Sequence, residues 1–407
     1  MTEQKSLKRL VRERMSRTGE SYTTAHRHVT AGRGPAEAAP ATFEAGLVPG
    51  YLSFGPERHQ PSAMVRHMLA AAGIDVSEPM ACGLGGGVGF LYAVFEYRQV
   101  EHPLLTIVAQ HHPMPWLSAA AQNLGLELET VHSSSATAAR RKLDACLDRG
   151  EPAQLTVGRG LLPQHADVSP LEAADPYQVV VAGRHGDEYL TDDLATTPHL
   201  IDGEMLLKAW AAHRKGRFEQ TTLVRRTTET IARDSRPALV DAAGRAIELT
   251  ADHLTGPVLG NSFDVNLGLS GMRKLADELR DGSTRHGWQR RFATPAHVHY
   301  ACRRLAECLT SAHTAAAATR PLYARFLAEV QDLVPSRPLA GAVTCFEGSG
   351  RSWAGLAHAA QSAAAQGDGL DPAGLFASFA DRVEECVALE ERAVALLREH
   401  LAVPRSG

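Results

Sequence analysis

Near residue 203 the hydrophobic period of this chain changes, and that change constrains the fold more than any other feature. Before it, short apolar runs of strand length alternate with helical stretches: LLTIVA (104–109), LELETV (126–131), AQLTVG (153–158), YQVVVAG (177–183) and DEYLTDD (187–193). WLSAAAQNL (116–124) and SSATAARRKLDACLD (134–148) carry helical spacing between them. YQVVVAG is continuous and β-branched, as a strand buried on both faces requires, and a short Gly-containing turn joins it to EYLTDD. A helix first and paired strands later point to an α+β arrangement. After residue 203, apolar residues recur at i, i+3, i+4 and i+7 in MLLKAWAAHR, SGMRKLADELRDG, HVHYACRRLAECLTSAH, RPLYARFLAEVQDLV and the segments C-terminal to them. That half predicts an all-α domain of five or six helices, and its alanine content favours helix because alanine loses no side-chain entropy there.

At 407 residues, two domains are the prior. The expected division is a basic N-terminal helix and linker (1–41), an α+β domain (42–225) and a helical domain (226–407). Charged residues at 22% and a net charge of −4 give no electrostatic reason for nucleic acid to bind the whole molecule. No apolar run approaches the roughly 20 residues of a membrane span, and no h-region marks a signal peptide. Six scattered cysteines without a CxxC pair read as reduced thiols, and the expected compartment is the cytoplasm. Residues 1–31 hold seven Lys/Arg against three Glu on an amphipathic pattern, and AGRGPAEAAPA (31–41) has linker composition.

Chemistry concentrates in RHQPSAMVRHMLAAAGIDVSEPMACGLGGGVGFLY (58–92): a helix, then a loop containing Gly83, Gly85, Gly86, Gly87 and Gly89. Such a loop permits close backbone approach to a ligand or a tight bend. It lacks the lysine of a P-loop and does not follow a clear strand, so nucleotide binding is not expected.

The order SEPMxxGLGxGxGF (77–90), PWLxxxAxNLGLxLE (115–129) and VVVxG…xxYLxD (179–192) resembles the butirosin biosynthesis protein H N-terminal (BtrH-like) family, and GMRKLADEL (271–279) and LYARFLAEV (322–330) resemble its accompanying helical domain. The resemblance covers roughly residues 50–400. It implies a papain-like fold, similar to that of the cysteine peptidases that clip leader peptides in bacteriocin export. It also implies acyl transfer from a carrier protein to an amine through a cysteine, a histidine and an acid. Here the positions read differently. Gln60, in His59-Gln60, stands where the resemblance places cysteine, and Tyr177 where it places histidine. The acid is retained as Asp192 or the adjacent Asp193.

Ser62, two residues after Gln60, is a substitute nucleophile, with His59 or His185 as its base. Cys82 is a second, against the ordinary reading of a small buried residue. The expected catalytic set is therefore Ser62, Tyr177, Asp192 and Gln60, with His59, Cys82, Gly83, Gly85, Gly87 and Phe90 contacting substrate. His111-His112 and His297/His299 do not have metal-ligand spacing, and neither a metal nor a cofactor is expected. Two functions compete: an acyl- or amide-forming transferase of natural-product metabolism with a rearranged site, and an accessory protein that binds a peptide, carrier protein or small metabolite without turnover. A homo-oligomer is compatible with either.

Overall fold

The computed structural model describes residues 46–51, 55, 57–97, 102–113, 115–165, 176–194, 198–213, 217–224, 235–311, 314–366 and 370–403. The basic N-terminal helix and its linker fall outside these residues. The chain divides into compact units Met1–Leu47 and Val48–Gly407, and the second carries both the sheet and the helical region.

Its first part runs α1 (Gln60–Ala71), α2 (Glu78–Leu84), β1 (Leu91–Phe95), β2 (Leu104–Val108), α3 (Trp116–Leu124), β3 (Leu128–Ser133), α4 (Ala136–Asp148), β4 (Ala153–Gly158), β5 (Pro176–His185), β6 (Glu188–Asp192), β7 (His199–Asp202), α5 (Gly203–His213) and β8 (Phe218–Leu223). β1 and β2 pair as an antiparallel ribbon, while β3-β8-β4-β5-β6-β7 form one antiparallel sheet. Val179 to Ala182 of β5 are all buried, which is why that run reads as uninterrupted apolar sequence. The second part is helical: α6 (Arg236–Thr255), α7 (Gly268–Arg280), α8 (Trp288–Arg291), α9 (Pro295–Thr310), α10 (Arg320–Leu333), α11 (Arg337–Ala365) and α12 (Pro372–Ala402). An α+β region followed by a helical region is the architecture that the change in period predicts. No helix among the described residues is long and apolar enough to cross a membrane.

Two elements depart from the sequence reading. β8 lies beyond residue 203, within the 42–225 domain but where the pattern reads as helical almost throughout, and it inserts between β3 and β4. Its six residues, FEQTTL, are too few to outweigh the helical windows around them, and Gln220 and Thr222 are buried despite being polar. The second is α2, whose SEPM start was read with the loop. Ser77 Oγ caps the helix by accepting from Met80 N (3.0 Å) and donates to Glu329 of α10 (2.6 and 2.8 Å). Glu78 Oε1 accepts the backbone N–H groups of Arg58 (2.7 Å) and His59 (2.9 Å), fixing the chain as it enters α1. The motif is thus a clamp between α1, α2 and α10.

The glycines after α2 serve packing. Residues 83–90 are buried throughout. The space a Cβ would need is filled by the Phe326 ring at Gly83, by Trp116 at Gly85 and by Tyr323 and Thr250 at Gly87, which also has φ +66°. Phe90 stacks on Trp353, 5.5 Å between centroids. Gly87→Ala should therefore cost about 2 kcal/mol or more, because it combines overpacking with a left-handed backbone. A urea midpoint equal to wild type would contradict this use of the glycine.

Candidate functional site

Helix α1 begins at Gln60 with His59 in extended conformation and Pro61 in the first turn, where a missing N–H costs nothing. Its N-terminus faces β5: Gln60 Nε2 donates to the Gln178 carbonyl (3.1 Å), and the Gln60 amide lies near the Tyr177 hydroxyl. The two residues at the positions where the resemblance places cysteine and histidine thus meet across the helix–strand junction. Both are partly exposed. Burial, followed by the Asp193 charge, raises the Tyr177 pKa, so its hydroxyl stays protonated and neutral.

Asp192 ends β6 and Asp193 follows it in a bend, and the two carboxylates have different partners. Asp192 is fully buried and turned toward α1: its Oδ2 accepts from Tyr51 (2.5 Å) and meets His67 Nδ1 (2.5 Å), and its Oδ1 accepts from Leu194 N (3.2 Å). His67 also faces Glu57, which pairs with Arg66. Burial alone would lower the His67 pKa, but the Asp192 hydrogen bond and charge, joined by Glu57, raise it. Asp193 points to the Tyr177 neighbourhood. Its Oδ2 accepts from Gln164 (3.0 Å) and meets His165 Nε2 (2.8 Å), while Oδ1 lies 3.4 Å from His199 Nε2. Burial works against the Asp193 carboxylate, but bonds from His165, His199 and Gln164 hold its pKa well below the usual range. The bond to Asp193 raises the His199 pKa in turn. The His165 ring stands edge-on to Tyr177 (4.9 Å), and the Arg159 guanidinium lies 4.7 Å over the same ring.

A second constellation lies inward. Ser62 Oγ is 2.6 Å from His59 Nδ1, and His59 Nε2 is 2.6 Å from Gln110 Oε1. Gln110 offers an oxygen, so Nε2 carries the proton and Nδ1 accepts from Ser62. This is a nucleophile–base–orienter sequence in geometry. Its members are sealed, however: Ser62 is 0% exposed, His59 1% and Gln110 8%. Burial lowers the His59 pKa to about 4, so the imidazole is neutral at ordinary pH. Cys82 is also fully buried, and burial pushes its thiol up to about 12, which removes the thiolate a nucleophile needs.

The structure thus gathers Gln60 and Tyr177 at one partly exposed junction and places His59 and Ser62 behind it. It turns Asp192 toward α1 and puts Gly83, Gly85, Gly87 and Phe90 in the packing beneath. Arg159, His165 and His199 were not found by sequence reasoning, since the first two sit on short turns and the third at the start of β7, none with a motif. His185, the other base considered for Ser62, is exposed at the end of β5. Among the described residues no group of three or more His, Cys, Asp or Glu could hold a metal ion. His297 and His299 lie in α9.

Residues 59–194 match the family model for butirosin biosynthesis protein H, N-terminal, and residues 212–397 match a domain of unknown function, DUF4872. No curated protein matches the chain. A solved structure from Bacillus anthracis, described as a putative C39-like peptidase, aligns at 16% identity with a TM-score of 0.30, covering 44% of this chain and 98% of its own.

Proposed function

With residues 59–194 forming a BtrH-like domain, we propose that this protein is a papain-like accessory component of natural-product biosynthesis. In this reading it binds a carrier protein, a peptide or a small metabolite without forming a covalent intermediate. The family's description places its namesake in butirosin biosynthesis, which makes antibiotic-type metabolism the setting for this reading. The observation that carries it is the helix–strand junction: an amide, Gln60, and a neutral phenol, Tyr177, meet there, while all six cysteines of the chain are buried. An amide and a phenol can bond a carbonyl or an amine, but Gln60 cannot form a thioester.

A second reading has its own observation. The Ser62–His59–Gln110 relay has the hydrogen bonds that a displaced serine nucleophile would require, and an opening of α1 would expose it to an acyl donor. In that case the chain is an acyl- or amide-forming transferase with a rearranged site.

Intact-protein mass spectrometry after incubation with acylated carrier proteins and acyl-thioesters separates the two. The accessory reading expects no mass increase, together with saturable binding of one carrier or metabolite that Gln60→Ala weakens at least fivefold. An acyl adduct that maps to Ser62 and disappears in Ser62→Ala would overturn it in favour of the transferase.

A further inference from the structure

The Arg159 guanidinium is the unsatisfied group of the junction. It sits on the turn Arg159–Leu161 directly after β4, half-buried over the Tyr177 ring. Its Nε is buried without a hydrogen-bond partner, and no carboxylate among the described residues pairs with it. The acid of the same cluster does not fill this gap, because both Asp193 oxygens are engaged by Gln164, His165 and His199. A buried donor on a charged group that lacks an acceptor carries a desolvation cost that a matching ligand offsets. The planar fork of a guanidinium, held by stacking on an aromatic ring, is pre-organised for an oxyanion.

We propose that Arg159, stacked on Tyr177 and flanked by Gln60, His165, Asp193 and His199, is the anchor for the carboxylate of a small-molecule ligand or of a peptide end. This rests on the binding reading above and names the chemistry it recognises. A monoanion suits this cluster best: Arg159 contributes one positive charge, and the Asp193 carboxylate already lies in the same cluster. A phosphate dianion would add uncompensated negative charge beside Asp193. The Gln60 amide and the Tyr177 hydroxyl supply neutral hydrogen bonds for the polar group next to the carboxylate.

The test uses the full chain with N-acetylglycine, its neutral amide and methyl phosphate at constant ionic strength. Binding is followed through the imidazole proton signals of His165 and His199, assigned by single His→Gln variants. N-acetylglycine should saturate, its amide should bind at least tenfold more weakly, and methyl phosphate should bind no more tightly than the carboxylate. Arg159→Gln should lose at least tenfold in affinity with its melting temperature kept. Arg159→Lys, which keeps the charge but not the fork, should recover only part of the loss. No saturable carboxylate binding, equal binding by Arg159→Gln or by the amide, or tighter binding of methyl phosphate would each overturn the proposal. An acyl adduct on Ser62 would instead refute the non-covalent reading and leave these results standing, so the two failures are distinguishable.

Discussion

Acidification from pH 6.5 to pH 4.5 should lower the stability of this protein by about 5 kcal/mol through two buried histidines. His59 and His111 are 1% and 2% exposed, and burial lowers their pKa values to about 4 and about 3. The charges of His253, stacked 4.6 Å away, and of His112 add to the effect at His111, whose two ring nitrogens have no hydrogen-bond partner among the described residues. An unfolded histidine titrates near 6.5, so between about pH 6.5 and the folded values the unfolded chain binds more protons than the native one. Stability then rises with pH, and it is lost as pH falls through that window, at about 1.4 kcal/mol per pH unit for each group. His67 has the opposite sign: its raised pKa gives stability that is fully present below about pH 6.5 and is lost as pH rises through its folded value. Urea denaturation at pH 6.5, 5.5 and 4.5 measures the first effect. His111→Leu should remove about half of the slope, and a midpoint that does not move across this range would show that these imidazoles are not buried as neutral groups.

Glu390→Ala should destabilise the fold by about 3–5 kcal/mol, the cost of stranding a buried guanidinium. Arg320 and Glu390 are both 0% exposed and joined by two bonds of 2.8 Å. Glu390 Oε1 also accepts from Ser349 (2.5 Å) and Trp353 (3.1 Å). Arg320 Nη1 donates in turn to the carbonyls of Gly89 (3.1 Å), Ala109 (2.8 Å) and Ala318 (2.9 Å). The alanine variant leaves a buried cation without its counter-ion and two further donors without acceptors. Glu390→Gln keeps an acceptor for Ser349 and Trp353 and should cost less. Because Ala109 precedes Gln110, the same network fixes the segment that presents Gln110 to His59, and loosening it should also disturb the His59 imidazole signal. Equal urea midpoints for Glu390→Ala and wild type would show that the pair contributes nothing net.

Much of the fold is legible in sequence because it follows from local period. α3 and β4 occupy the residues that their patterns mark, and β5 and β6 differ from theirs by one or two positions at the ends, where caps and turns decide. The helical half is legible in outline: α7, α9 and α10 lie on the segments their apolar spacing marks, but α6 and the one-turn α8 are unmarked, so seven helices stand among the described residues where five or six are expected. β8 escapes this logic because an antiparallel strand between two others is held by backbone bonds that leave no period in six residues.

The candidate site divides along the same line. Its position is set by sequence: the HQPS start of α1 and the YQVVV start of β5 carry their polar residues at element ends, and Gln60 and Tyr177 follow from there. Which acid serves it is not, because Asp192 and Asp193 are equivalent in a string of letters. The end of β6 between them gives them different partners, one bonded to His67 and Tyr51, the other to His165 and Gln164. The glycines of 83–89 likewise read as loop or cradle until the rings of Phe326, Tyr323 and Trp116 are seen in the space their side chains would take. Local patterning determines which segments become helix or strand. Only the packing of distant segments decides which polar groups are sealed, which are paired, and which, like the Arg159 Nε, are left without a partner.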